Sequence, residues 1–256
     1  MKRYFIILLT AVVFLAGYCL ADQGKPDPSQ LFYNGNSFYE KRDYDKAVED
    51  YTKILDMGIE SPSLYYNIGN SYFKLGKIGY AILYYERAKR LMPQDADMES
   101  NLAYAKSLVG NPSFQMPEPK IAVSLIKKPF EDFNLNAIAI SAFALYIVVV
   151  LMLSVFMINS YIAKKIRIIF AFVVVMFLAS LSAFAIRFYD EELLARGVVV
   201  QKNVECKYEP IDKSITFYKL QEGDQVVVLK TRSGWTQIER PDGKIGWVAK
   251  DAVEEI

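Results

Sequence analysis

Apolar residues along this chain obey three different rules in turn. Over residues 28–109 they recur at helical spacing: Leu31, Gly35 and Phe38 share one face, and after a turn at Arg42-Asp43, Ala47, Tyr51 and Ile54 share another. Between Asp132 and Lys164, and again between Arg167 and Arg187, no charge interrupts the apolar run. From Gly197 onward, apolar and polar positions alternate in short stretches, as in half-buried strands. The pattern predicts a multidomain membrane protein: an all-α segment, a pair of membrane-length helices, and a small all-β segment.

The helical segment copies itself. Gly35-Asn36-Ser37-Phe38-Tyr39 returns 34 residues later as Gly69-Asn70-Ser71-Tyr72-Phe73, Ala47 returns as Ala81, Tyr51 as Tyr85, and Lys53 as Arg87. Helical self-similarity at this period is the mark of a stacked repeat array. In the second copy Tyr65, Ile68, Gly69, Tyr72, Ala81, Tyr85 and Ala88 take the same roles, and Pro93 follows where a proline stops a helix. These residues resemble the tetratricopeptide repeat (TPR), more fully in the second copy than in the first, where Asn34 and Ile59 stand at positions usually held by Leu and Pro. The resemblance implies a repeat domain over 22–109, with helix pairs at 28–61 and 62–95 and a capping helix at 96–109 around Asn101-Leu102-Ala103. Gly35, Ala47, Gly69 and Ala81 are the small residues expected where helices cross closely.

By the geometry of that family, the concave face of each first helix carries Phe32, Asn36, Tyr39 and Glu40, then Tyr66, Asn67, Asn70, Phe73 and Lys74. Asn36 and Asn70 match an asparagine that in many TPR domains holds a ligand's backbone or terminal carboxylate. The basic partners of a carboxylate clamp are missing, with Phe32 and Tyr66 in their place. The expectation is an aromatic groove for an extended or helical peptide.

In the alternating segment, 197–201, 225–229, 235–238 and 244–248 read as strands, with Pro241-Asp242-Gly243 as a tight turn. Leu220-Gln221-Glu222-Gly223-Asp224 ahead of Val226-Val227-Val228, the pair Gly234-Trp235, and the run Asp242-Gly243-Lys244-Ile245-Gly246-Trp247-Val248 resemble a bacterial SH3 domain. The resemblance implies an SH3-like barrel over 195–256. Tyr208, Tyr218, Trp235 and Trp247 are candidates to line a peptide or glycan-peptide groove. The competing reading makes the two tryptophans core and rim residues of the barrel. Cys206 reads as a small packing residue with an unpaired thiol.

Lys2-Arg3 before an uncharged stretch from Tyr4 to Ala21 describes a secretory signal over 1–21, and the bulky Tyr18 before Cys19 argues against a lipoprotein signal. About 20 apolar residues span a bilayer, which places membrane helices at 137–160 and 168–187. Their link carries Lys164, Lys165 and Arg167 and suits the cytoplasmic face. Ala179 and Ala183 form a small-residue pair suited to close helix packing. Residues 110–134, with Pro112, Pro117, Pro119 and Pro129, read as a linker. An exported start followed by two spans returns the C-terminal module to the same outer face.

The chain has no histidine, which removes Ser-His and Cys-His nucleophile pairs and every His-containing zinc site. A net charge of +1, with no basic domain, gives no footprint for nucleic acid. The run Asp190-Glu191-Glu192 reads as a solvated helix end rather than a catalytic frame. No catalytic residue, metal or cofactor is expected. The order signal, TPR pair, two spans and SH3-like module resembles the E-type protein of bacterial aerotolerance (Bat) operons. That resemblance implies von Willebrand A-domain membrane proteins as partners and, indirectly, a MoxR-type AAA ATPase. The resulting expectation is a non-enzymatic scaffold in the lipid bilayer of the cytoplasmic membrane, with both folded modules periplasmic. The alternative is an envelope sensor whose barrel binds cell-wall peptides.

Overall fold

The computed structural model describes residues 27–109, 128–130, 132–158, 160–189 and 193–256. The signal expected at 1–21, the acidic run at 190–192 and nearly all of the linker expected at 110–134 lie outside them. The chain divides after Ile59 into two compact units.

The first unit contains α1 (Pro28–Glu40) and α2 (Tyr44–Asp56). Asp27 caps α1 by accepting from Ser29 N at 3.0 Å, and Pro28 occupies the first helical position, where its missing N–H costs nothing. Leu31, Gly35, Ala47, Tyr51 and Ile54 are buried. The crossing depends on Gly35, where a Cβ would lie 2.5 Å from the Tyr51 ring. The turn between the helices forces Arg42 to a φ of +63°.

The second unit opens with α3 (Pro62–Lys74), α4 (Ile78–Leu91) and α5 (Ala96–Leu108). Ser61 caps α3 through Leu64 N at 3.2 Å, and Asp95 caps α5 through Met98 N at 2.9 Å. Helix α4 has no such cap of its own; Lys77 stands at its start and supplies no acceptor. The repeat geometry recurs: a Cβ at Gly69 would lie 2.7 Å from the Tyr85 ring, and Gly76 takes the turn at a φ of +72°. The same periodicity places Ala103 of α5 where Gly69 stands in α3. Ala103 is exposed, with no second helix pressed against it, so a Cβ is tolerated there.

Helices α6 (Leu135–Ile158) and α7 (Ser160–Phe188) are each long and apolar enough to cross a membrane, each with an 18-residue stretch of mean hydropathy 2.7. They run antiparallel, pairing Ser141 with Ser180 at 3.1 Å between hydroxyls, Tyr146 with Phe177, and Phe156 with Phe170 at ring separations of 6.2 and 4.9 Å. Asn134 caps α6 by accepting from Ala137 N at 2.8 Å, which sets the helix start ahead of the expected 137. Lys164, Lys165 and Arg167, expected in a link, lie within α7, because nothing from Ser160 onward breaks a helix and Lys and Arg favour one. The small-residue contact also differs from expectation. Ala183 is buried but Ala179 is exposed, and Ser180 takes the second place on the contact face.

The C-terminal segment forms seven strands: β1 (Arg196–Val199), β2 (Val204–Lys207), β3 (Thr216–Leu220), β4 (Gln225–Arg232), β5 (Trp235–Glu239), β6 (Ile245–Ala249) and β7 (Val253–Glu255). They are ordered β3-β2-β6-β5-β4-β1-β7. Val199, Val204, Cys206, Leu220, Val226, Val228, Ile238, Val248 and Val253 build the core. Strands β2, β3 and β7 go beyond the expected four. They are three to five residues long and too short for alternation to register, although Thr216-Phe217-Tyr218 has strand composition. The tight turn forms as expected, with Gly243 at a φ of +80° and its N–H donated to Arg240 O at 2.9 Å.

Two substitutions test this account. Gly69→Ala forces the Tyr85 ring to move and is expected to cost about 1–3 kcal/mol. Arg42 sits where the second repeat has Gly76. A left-handed backbone costs a residue with a Cβ roughly 1–2 kcal/mol, and glycine's greater unfolded freedom offsets about half of that. Arg42→Gly should therefore stabilise the chain by about 0.5–1 kcal/mol. Denaturant midpoints of the full chain in detergent check both.

Candidate functional site

In the first unit, α1 turns its predicted binding residues toward α2. The Phe32 ring lies 5.7 Å from that of Tyr51, and Tyr39 meets Tyr44 edge-on at 5.3 Å. Tyr51 donates its hydroxyl to Asn36 Oδ1 at 2.6 Å. Glu40 is exposed.

The second unit repeats this arrangement and adds to it. Tyr85 donates to Asn70 Oδ1 at 2.7 Å, so in both repeats the asparagine oxygen expected to hold a ligand is engaged by the second helix. Tyr66 packs 5.8 Å from the Tyr85 ring and accepts from Asn101 Nδ2 at 2.6 Å. Phe73 lies 5.7 Å from Tyr104 of α5, which is 57% exposed. Asn67 is half-buried, and Lys74 is exposed. The structure thus brings Tyr66, Asn70 and Phe73 together with Asn101 and Tyr104 along α3 and α5. Asn101 stands one 34-residue period after Asn67, although the first repeat has Tyr33 at that position; Tyr104 stands where the second repeat has Asn70, so residue type gave no signal.

On the barrel, the four predicted residues have different settings. Tyr218 donates to Lys244 O at 3.3 Å and lies beneath Arg240, whose guanidinium is 4.5 Å from the ring centre. Burial pushes the Tyr218 phenol well above its usual range and also raises the Cys206 thiol beside it. Trp235 is half-buried under Lys207, with Nζ 5.7 Å from the ring. Trp247 points away from the core, since its neighbour Val248 points into it, yet it is only 8% exposed. Lys230 covers its ring at 5.4 Å. Tyr208 is exposed and stacks on Phe217 at 4.3 Å.

The residues that sequence reasoning missed join α4 to the barrel. Glu222, only 6% exposed, accepts from Gly79 N at 2.8 Å. Gly79 lies in the first turn of α4, so the barrel supplies the acceptor that Lys77 does not. A carboxylate at this end also opposes the positive end of the helix dipole. Close approach requires Gly79 itself, because a Cβ there would lie 2.6 Å from Val199 O. Gly223, at a φ of +89°, sits against Ile82 and Val109. Gln225 Nε2 donates to Glu86 Oε1 at 2.6 Å, Lys106 pairs with the same carboxylate at 2.5 Å, and Arg87 donates to Glu255 O. A signal was present: position 45 of the first repeat is an exposed Asp, and its second-repeat equivalent is the buried Gly79.

Comparisons with known proteins agree with this architecture. Tetratricopeptide repeat models match residues 62–95 and 35–76, and a bacterial SH3 domain model matches residues 217–254. No curated protein matches the chain. Both module types are ordinarily non-catalytic and mediate protein–protein interaction. Among the described residues, no group of three or more Cys, Asp or Glu is placed to hold a metal ion.

Removing Glu222 strands a buried N–H at the start of α4. Glu222→Ala is expected to lower stability by about 1–3 kcal/mol, and Glu222→Gln, which keeps an acceptor, by less. Denaturant unfolding followed at separate helix and tryptophan signals should show the two transitions, coincident in the native chain, moving apart.

Proposed function

We propose that the chain is a non-enzymatic scaffold of the cytoplasmic membrane that presents its TPR and bacterial SH3 modules together on the periplasmic side. The observation that carries this reading is the docking of the barrel on α4 through Glu222 and Gly79. Two modules separated in sequence by a pair of membrane-length helices can pack on each other only from one side of a bilayer. The ends of the hairpin fit the same view. Asn134, at the start of α6, donates to Leu91 O of α4 at 3.5 Å, and Arg187, near the end of α7, donates to Phe130 O at 3.2 Å. The basic residues Lys164, Lys165 and Arg167 then mark the opposite, cytoplasmic end.

Within this proposal, the TPR surface around Tyr66, Phe73 and Tyr104 takes protein partners, and the setting is a Bat-type complex. Its membrane partners would be von Willebrand A-domain proteins, linked indirectly to a MoxR-type AAA ATPase. The order of modules supports that setting. The domain limits read from the sequence belong to the same proposal, with the hairpin start and link adjusted to α6 and α7.

Reporter fusions at residues 110, 165 and 256 should read periplasmic, cytoplasmic and periplasmic. A fusion at 256 active only in the cytoplasm would contradict the proposal. Capture of Bat-type membrane proteins by the tagged chain should fall about tenfold or more for Phe73→Ala with Tyr104→Ala, as for loss of paired aromatic anchors.

A further inference from the structure

The outer face of the barrel carries a row of side chains that its docking on α4 leaves out. Strand register sets Lys230 of β4 opposite Gln237 of β5, Gln237 opposite Trp247 of β6, and Trp247 opposite Lys207 of β2. In the neighbouring row, Arg232 stands opposite Trp235, and Trp235 opposite Ala249. Lys207, Trp235, Gln237 and Trp247 point away from the core, because Cys206, Ile238 and Val248 on the same strands point into it; the register shift between Val228 and Lys230 turns Lys230 and Arg232 to the same face, while Ala249 packs against the core. Both tryptophans of the chain therefore share one face, and each lies beneath a lysine. Docking on α4 uses the end of β1, β7 and the β3–β4 turn, whereas this face is built from β2, β5, β6 and the far half of β4.

Charge is distributed unevenly across the face. Lys207, Lys230 and Arg232 gather around the tryptophans. Glu239 sits at the other end of β5, and Glu205 is engaged toward the β3 edge by Thr216 Oγ1 at 3.0 Å and by Lys219 at 3.9 Å. Lys207 also donates to Asp212 O in the β2–β3 loop. Lysine carries a compact charge on a flexible stem, so it can leave a ring for a carboxylate without moving the backbone. A ring so uncovered offers apolar area to an aliphatic side chain.

We propose that this face binds an acidic, extended segment of a protein partner. Its carboxylates draw Lys207, Lys230 and Arg232 outward, and an apolar side chain between them lies on Trp235 and Trp247. The inference rests on the reading of the chain as an interaction protein and gives that partner a chemistry: alternating acidic and apolar residues.

The chain has two tryptophans, both on this face, so its tryptophan emission reports the site directly. The full chain in uncharged detergent is titrated with a blocked peptide alternating glutamate and leucine, and with its lysine-for-glutamate counterpart. The acidic peptide should change the emission saturably, the basic one should not, and added salt should weaken the response. Lys207→Gln with Lys230→Gln should weaken binding about tenfold, as expected for paired charges, with the melting profile unchanged. Arg232→Gln, at an exposed strand end, serves as a second variant and should weaken binding by a smaller factor. No saturable response, equal response to the basic peptide, or undiminished binding by the lysine variant would overturn the proposal. So would a response to anionic phospholipid vesicles in place of the peptide, which would assign the face to a lipid surface. Membrane topology and capture through Phe73 and Tyr104 do not involve the tryptophans, so failure here leaves those tests standing.

Discussion

A buried carboxylate stands at the centre of the joint between the second repeat and the barrel. Helix α4 begins at a lysine, which neither accepts from the free amides of the first turn nor suits the positive end of the helix. Glu222 reaches one of those amides, Gly79 N, from a turn 143 residues further along the chain. The contact forms because Gly79 has no side chain to hold Val199 away, and because Gly223 can turn at a positive φ against Ile82 and Val109. Each partner is costly alone: an uncapped helix start on one side, and on the other a buried carboxylate whose nearest cation, Lys202 Nζ, stands 3.9 Å away. Together they satisfy each other, and the apolar contacts around them exclude water.

From this joint follows the arrangement of the rest. In the proposed membrane arrangement, a barrel fixed to α4 lies on the same side of the bilayer as α4, and the hairpin between them returns. The antiparallel pairing of Ser141 with Ser180 and of Phe156 with Phe170 is the geometry such a return demands. The joint also divides the barrel's surface. The Leu220–Asp224 turn, one of the stretches that resemble a bacterial SH3 domain in the sequence, is used internally for docking, leaving the tryptophan-bearing face of β5 and β6 outward.

Much of the fold was legible because it rests on local rules. The 34-residue copy of Gly35 at Gly69 locates both helix pairs, since only glycine admits the Tyr51 and Tyr85 rings so closely. Uncharged runs located the hairpin, and Gly243 located the last turn. The errors have physical causes. Short strands such as β2 leave too few positions for alternation to stand out, and Lys164 to Arg167 look like a link only if charge is mistaken for a helix breaker. The candidate site was less legible, because side-chain partners are not periodic. Asn70 marks a groove by family likeness, but its oxygen belongs to Tyr85. Trp247 is buried at 8% exposure rather than lining an open groove; it lies on the outward side of β6 and is covered by Lys230. Nothing local in Glu222 points to a helix so far away in sequence.

The central claim is that the second repeat and the barrel form one body, and interdomain distance distributions test it most directly. Spin labels at the exposed positions Lys74 of α3 and Lys219 of β3 leave the joint untouched. Pulsed electron resonance on the full chain in nanodiscs should give one narrow distance distribution, broadened by Glu222→Ala. A broad or multimodal distribution in the native chain would show the barrel moving freely of the repeat and would contradict the account.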